Sequence, residues 1–162
     1  MTETMRVRTH RFGDVEIDAD TVLYFPRGLL GLDECRRWCL LHHEEAAHLD
    51  WLQSVDDPDV ALLLANPDDL FPDYDVHVDP EDIVLLELDE ALGHSTTPPV
   101  VMRVVIRPED DAQTFVINAS APILFNLANR RGMQLALEAS RLSPRYRGPI
   151  VLCTRTEAPA SV

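Results

Sequence analysis

The chain of 162 residues contains no lysine: its 14 basic residues are all arginine, set against 28 acidic ones for a formal net charge of −14. Cysteine is also scarce. Cys35, Cys39 and Cys153 are too few and odd in number for a disulfide framework, which fits a reducing compartment. Of six glycines only Gly28 and Gly31 lie close together, and no Lys-Ser/Thr follows them, so a phosphate-cradling loop is excluded. No serine falls in a G-x-S-x-G or S-x-x-K arrangement, which removes the common nucleophile scaffolds. Met1 to His10 holds no apolar run of the kind a secretory signal needs, so the Asn118-Ala119-Ser120 sequon reads as chance. The longest stretch without a formal charge, 112–129, is interrupted by Gln113, Asn118, Pro122, Asn126 and Asn129, which rules it out as a lipid-spanning helix.

What is present is enough apolar material for one core. At 46% hydrophobic residues, a chain this long buries roughly 70% of its extended surface on folding and needs no metal or disulfide to do so. Charge is unevenly placed. From Trp38 to Met102 there are 16 acids and no arginine, whereas Ala112 to Val162 carries six arginines against Glu138 and Glu157. A field this negative repels phosphates, so direct nucleic-acid binding is disfavoured; either a basic protein partner is favoured or the acids simply keep a small protein soluble. The same charge favours a soluble monomer.

Short apolar stretches punctuated by Pro, Gly, Asp and Asn predict many short strands. They are expected at 5–9, 14–17, 22–25, 38–41, 52–55, 60–65, 75–78, 100–106, 114–117, 123–126 and 133–137. Turns are expected at 12–14, 56–59, 66–69 and 129–132, the last as a hairpin with Arg130 and Arg131 exposed at its tip. Helix signals are confined to Leu32–Arg37 and to a Pro80-led segment from Asp79 to about Leu86. The fold class that follows is mostly β: a small closed or partly open antiparallel barrel with one or two short helices. Residues 1–152 read as one such domain and 153–162 as a disordered tail.

Catalytic and metal constellations are weak. Cys35, Cys39, His42 and His43 fall within nine residues, but the segment passes from helix into strand, which would scatter the ligands of a zinc site. The Asp clusters at 56–59 and 73–79 lack the spaced oxygens, mid-loop glycine and closing glutamate of a calcium loop. No cofactor is expected. A flavin-type small barrel is the competing reading, and clustered bases or a phosphate loop to support it are missing. A carbohydrate module would need exposed tryptophans, whereas Trp38 and Trp51 sit in apolar strand contexts and are expected to be buried. The remaining candidates are apolar residues where loops belong: Phe25, Pro26, Leu29 and Leu30 in one, Phe71, Pro72 and Tyr74 in another. They either cover a barrel end or form a protein-binding rim.

Five segments in order carry a resemblance: FGDVEID (12–18), FPRGLLG (25–31), WLQSVDDPDVALLLANP (51–67), FPDYDV (71–76) and NASAPILFNLANRRGMQ (118–134). Over residues 5–150 the chain resembles the FliW family of flagellar assembly factors. The resemblance implies a cytoplasmic protein that is not an enzyme, binds flagellin, and when free binds the carbon storage regulator, a small basic RNA-binding protein that represses flagellin translation. It further implies that the two partners exclude one another and that the regulator is antagonised away from its RNA surface. On this reading Phe25, Pro26, Leu29, Leu30, Phe71, Pro72 and Tyr74 form partner-binding loops. Gln53, Ser54, Asp56 and Asp57 form a polar rim beside them, and Asn118 is structural or interfacial.

Overall fold

The computed structural model describes residues 3–42, 48–71, 73, 74, 76, 81, 100–109, 113–137, 146 and 148–153. A hairpin comes first, β1 (Thr4–Thr9) and β2 (Gly13–Asp18), paired antiparallel as a separate two-stranded sheet. Thr9 fixes its turn: the hydroxyl donates to Gly13 O at 2.7 Å and accepts from Phe12 N at 2.7 Å, with Gly13 at φ 70°. A 3₁₀ turn at Ala19–Thr21 leads into the main sheet.

That sheet consists of β3 (Leu23–Tyr24), β4 (Arg37–His42), β5 (Leu49–Ser54), β6 (Ala61–Ala65), β7 (Val100–Pro108), β8 (Thr114–Asn126), β9 (Arg131–Gln134) and β10 (Pro149–Cys153). Strands β3 to β8 meander antiparallel, and β9 pairs with both β8 and β3, closing a seven-stranded barrel. The closing contact, Tyr24 to Arg131, is the one parallel pairing among the described strands. β10 lies outside the ring, on the first half of β8. Cys153, expected in the tail, is the last residue of β10.

Side chains alternate across the barrel wall with the strand period of two. Leu23, Phe25, Trp38, Leu52, Leu64, Ile123 and Phe125 come from five strands and the loop after β3 and meet in one buried cluster, the interior. Leu63, Ala65, Val104, Ile106, Ile117 and Ala119 point outward and form a second core with Phe71, Tyr74 and Tyr146. β6 therefore reads as a continuous apolar run, because both its faces are covered.

Several sequence expectations need correction. The strands expected at 114–117 and 123–126 are one strand of 13 residues. Pro122 does not break it, because the β7 register jumps between Arg103 and Val105 and leaves 119–122 without ladder partners. A missing N–H costs nothing inside such a bulge. The helix expected at Leu32–Arg37 is absent: Leu32 N bonds Leu29 O and Cys35 N bonds Leu32 O in successive turns, and Arg37 already belongs to β4. Asn66–Asp69, expected as a turn, instead starts the short helix α1 (Pro67–Leu70), with Asn66 Oδ1 accepting from Asp68 N and Pro67 at the first position. β9 ends at Gln134, short of the expected 137. Of the strand expected at 75–78 only Val76 is described, and it is not in a strand. The Pro80 helix lies outside the described residues apart from Glu81, as does His43 of the Cys-His group.

Candidate functional site

The loop after β3 turns back on itself. Gly28 and Gly31 adopt φ 65° and 80°, and a Cβ on Gly28 would meet Leu32 O at 2.6 Å and Asp33 O at 2.7 Å. Both the left-handed backbone and the close approach require glycine there. The turn drives Phe25 and Leu29 inward. Phe25 is fully buried, edge-on to Trp38 at 6.4 Å and pressed against Gly132, and Leu29 joins the same cluster. Leu30 is left outside at 55% exposure, Pro26 is half-buried, and the Leu30 N–H donates to Gln134 Oε1 at 2.8 Å.

The loop from β5 to β6 lies beside it. Gln53 is fully buried, and its Nε2 donates to Ser54 O at 3.0 Å and Val60 O at 3.1 Å, holding the loop ends together. Its Oε1 has no hydrogen-bond partner among the described residues. Ser54 Oγ, also buried, accepts from Asp56 N at 3.1 Å and Asp57 N at 2.9 Å, while Asp57 Oδ1 accepts from Asp59 N at 3.0 Å. Asp56 Oδ1 takes both Arg37 Nε at 3.0 Å and Nη2 at 2.7 Å, and its Oδ2 accepts from Arg37 N. Partial burial pushes the Asp56 carboxyl up, but the hydrogen bonds and charge of Arg37 outweigh this and hold it below its ordinary value. Arg37 thus ties the two loops at one end of the barrel.

Phe71 and Tyr74 lie elsewhere, on the outer wall, in an aromatic group with Tyr146 whose centroids are 5.0 to 6.2 Å apart. Tyr74 OH donates to Ala119 O at 2.6 Å, and burial pushes its phenol well above the ordinary range. Tyr146 OH donates to Asp73. Pro72 lies outside the described residues.

The bulge in β8 joins these parts. Its four carbonyls, freed from the β7 ladder, each find a donor: Ala119 O takes Tyr74 OH, Ser120 O takes Leu137 N, Ala121 O takes Gln134 Nε2 at 3.0 Å, and Pro122 O takes Leu135 N. Buried carbonyls left unpaired would cost about 1–3 kcal/mol each. Gln134 therefore links the bulge to the Leu30 loop through its two amide ends. Asn118 at the start of the bulge is exposed, its Oδ1 accepting from Ser120 Oγ at 3.2 Å.

Of the described residues expected on a binding rim, only Pro26, Leu30, Asp56, Asp57 and Asn118 reach the surface. Phe25, Leu29, Phe71 and Tyr74 are core instead, because each covers apolar wall that would otherwise face water, and Gln53 and Ser54 are buried loop-formers. Arg130 and Arg131 are not an exposed tip. Arg130 sits at φ 65° with its guanidinium on Asp20 O at 2.5 Å and on Leu127 O, and Arg131 lies over the Tyr24 ring at 6.0 Å. Trp38 is buried as expected, but Trp51 is only half-buried, covered by Phe12 edge-on at 5.7 Å and by Arg11, whose guanidinium carbon lies 4.3 Å from its ring centroid. That contact, across 40 positions, borders a trough of about 1130 Å³ on the outer wall which no sequence pattern announced.

Cys35 and Cys39 are buried free thiols, Cys39 pushed up to about 11 by burial, which suits packing and not nucleophilic work. Among the described residues no group of three His, Cys, Asp or Glu is placed to hold a metal, and no helix is long and apolar enough to cross a membrane.

Known proteins share this architecture. The model of the FliW protein family matches residues 6–148. Flagellar assembly factor FliW of Natranaerobius thermophilus is 28% identical over 142 residues, covering 88% of this chain and 91% of its own. Flagellar assembly factor FliW 2 of Desulfotalea psychrophila is 33% identical over 141 residues, covering 87% and 89%. A crystal structure of the flagellar assembly factor FliW superposes with a TM-score of 0.74 at 27% identity, covering 83% of this chain and 90% of that one. These relatives are named as assembly factors and not as enzymes. The chain belongs to the FliW family of flagellar assembly factors.

Proposed function

We propose that this protein works in the cytoplasm as a switch between two protein partners. It binds flagellin; once flagellin has been exported, the freed protein binds the carbon storage regulator and relieves its repression of flagellin translation. Family membership over nearly the whole chain carries this reading, and it is supported by the intact FPRGLLG and WLQSVDDP loops. The charge agrees in sign. A net charge of −14, with the exposed Asp56 and Asp59 beside Asp57 on one loop, steers a basic protein in and keeps phosphates out, so RNA is not itself bound.

Within the barrel end, Leu30 and Pro26 supply apolar contact and Asp56 and Asp57 the acidic rim, with Asn118 at a second edge. Phe25, Leu29, Gln53 and Ser54 act by holding those loops in shape, while Phe71 and Tyr74 pack the outer wall and fix the β8 bulge. Isothermal titration with the carbon storage regulator of the same genome, with and without flagellin, tests the switch. Saturable heat that flagellin abolishes is the expected result, and Leu30→Asp should weaken the regulator complex without unfolding the barrel. Absence of heat with either partner, from folded protein, overturns the proposal.

A further inference from the structure

The exposed tip of the loop after β3 is tied to the barrel at one point. Leu29 N donates to Leu32 O at 3.3 Å and Leu32 N to Leu29 O at 2.8 Å, closing a tight turn with Leu30 and Gly31 at its apex. Gly31, at φ 80°, fills the third place, where a type II turn needs a positive φ. Leu30 is thereby pushed into solvent, and the turn leaves its N–H unused. Among the described residues, the one hydrogen bond from 26–34 to a distant part of the chain runs from Leu30 N to Gln134 Oε1 at 2.8 Å, across 104 positions. It joins the FPRGLLG segment to the segment that ends in Gly132-Met133-Gln134.

Gln134 is built for this place. As the last residue of β9, opposite Ile123, it has its backbone held in the sheet. Its Nε2 donates to Ala121 O at 3.0 Å, a bulge carbonyl that the β7 ladder does not serve. That partly buried end sets which way the amide points, because a reversed amide would face two carbonyl oxygens together at Ala121 and two donors together at Leu30. An ionised glutamate could only accept, and asparagine is one methylene shorter, so glutamine alone spans both partners with the right sign at each.

We infer that Gln134 is a positioning residue for partner recognition, acting through Leu30, whose turn it holds in one place on the barrel end. This role rests on the function proposed above, in which Leu30 supplies apolar contact to the carbon storage regulator. A tip already fixed in its bound shape loses less freedom when the partner arrives, whereas a released tip must be ordered at that moment.

The test combines titration of the carbon storage regulator into the full chain with exchange of the Leu30 amide followed by NMR. In wild type that amide should exchange slowly for an exposed turn, and Gln134→Met, which keeps the side-chain length and loses both polar ends, should speed it at least tenfold. Gln134→Met should weaken regulator binding about tenfold, but by no more than about twofold in a Leu30→Ala background. Tyr74→Phe orphans the neighbouring bulge carbonyl, Ala119 O, without touching the Leu30 turn, and should leave affinity within about twofold. Equal losses in Gln134→Met and Tyr74→Phe, or the same loss with and without Leu30, overturn the positioning role, since general weakening of the bulge then explains the effect. Unchanged affinity in Gln134→Met, or a Leu30 amide that exchanges in wild type as fast as in an unstructured chain, overturns it as well. Failure of wild type to bind the regulator overturns the proposed function and this role together.

Discussion

Adding one methyl group at Gly132 tests how the barrel closes. A Cβ there would lie 2.4, 2.6 and 2.7 Å from three carbons of the Phe25 ring, where ordinary carbon contacts need about 3.5–4.0 Å. The backbone at Gly132 is ordinary, so the whole effect comes from this contact. Phe25 has nowhere to go: it is fully buried and edge-on to Trp38, whose indole N–H is pinned to Cys35 O at 2.9 Å. Overpacking costs about 1–3 kcal/mol, and we expect the upper half of that range because β3, which must absorb the shift, is only two residues long. Gly132→Ala should therefore lower unfolding free energy by about 2–3 kcal/mol in urea, followed by tryptophan fluorescence, and lower Tm by roughly 4–10 °C. Phe25→Leu in the same chain should recover part of the loss, giving a non-additive double-mutant cycle. A loss under about 0.5 kcal/mol, or strict additivity, would refute the argument that these two residues form the closing contact.

Tyr74→Phe removes the donor to Ala119 O and should cost about 1–3 kcal/mol, measured by chemical denaturation; no change would mean that the bulge carbonyl is satisfied otherwise. Cys39 and Tyr74 both have folded-state pKa values raised by burial, so the unfolded chain loses those protons first. The Cys39 contribution is complete below about pH 9 and declines as pH rises towards about 11, while that of Tyr74 is complete below about pH 10 and declines only above it. A denaturation series across that window should show the decline, and Cys39→Ala should flatten its early part. Arg37→Ala should raise the Asp56 titration followed by NMR and cost under about 1 kcal/mol near neutrality, since the pair is partly exposed. The Asp56 contribution is present above its unfolded pKa and vanishes as pH falls through the folded one, so the variant should lose less stability than wild type on acidification.

The strand pattern was legible from the chain because most strands are short apolar runs ended by turn residues, and eight of the ten described strands lie within three residues of the expected ends or better. The unity of β8 was not, because Pro122 is a strand breaker unless a bulge removes the ladder at that point, and a bulge is a property of the β7 register. Which loop aromatics would fold inward was equally hidden. Phe25 is drawn in by a glycine 107 positions later, and Tyr74 by a carbonyl 45 positions later. Leu30, with the same local composition as Leu29, stays out because the left-handed glycines on either side reverse the chain between them. The trough left no local trace, since its floor comes from alternate residues of four strands and its lip from the first hairpin.

On the function we propose, this protein releases the repressor from its message without touching RNA. Fluorescence anisotropy of a labelled flagellin leader RNA saturated with the carbon storage regulator measures this directly. Adding this protein should lower the anisotropy to that of free RNA, and flagellin added afterwards should restore it. Anisotropy that does not change, or that rises because the protein joins the RNA complex, would contradict the account.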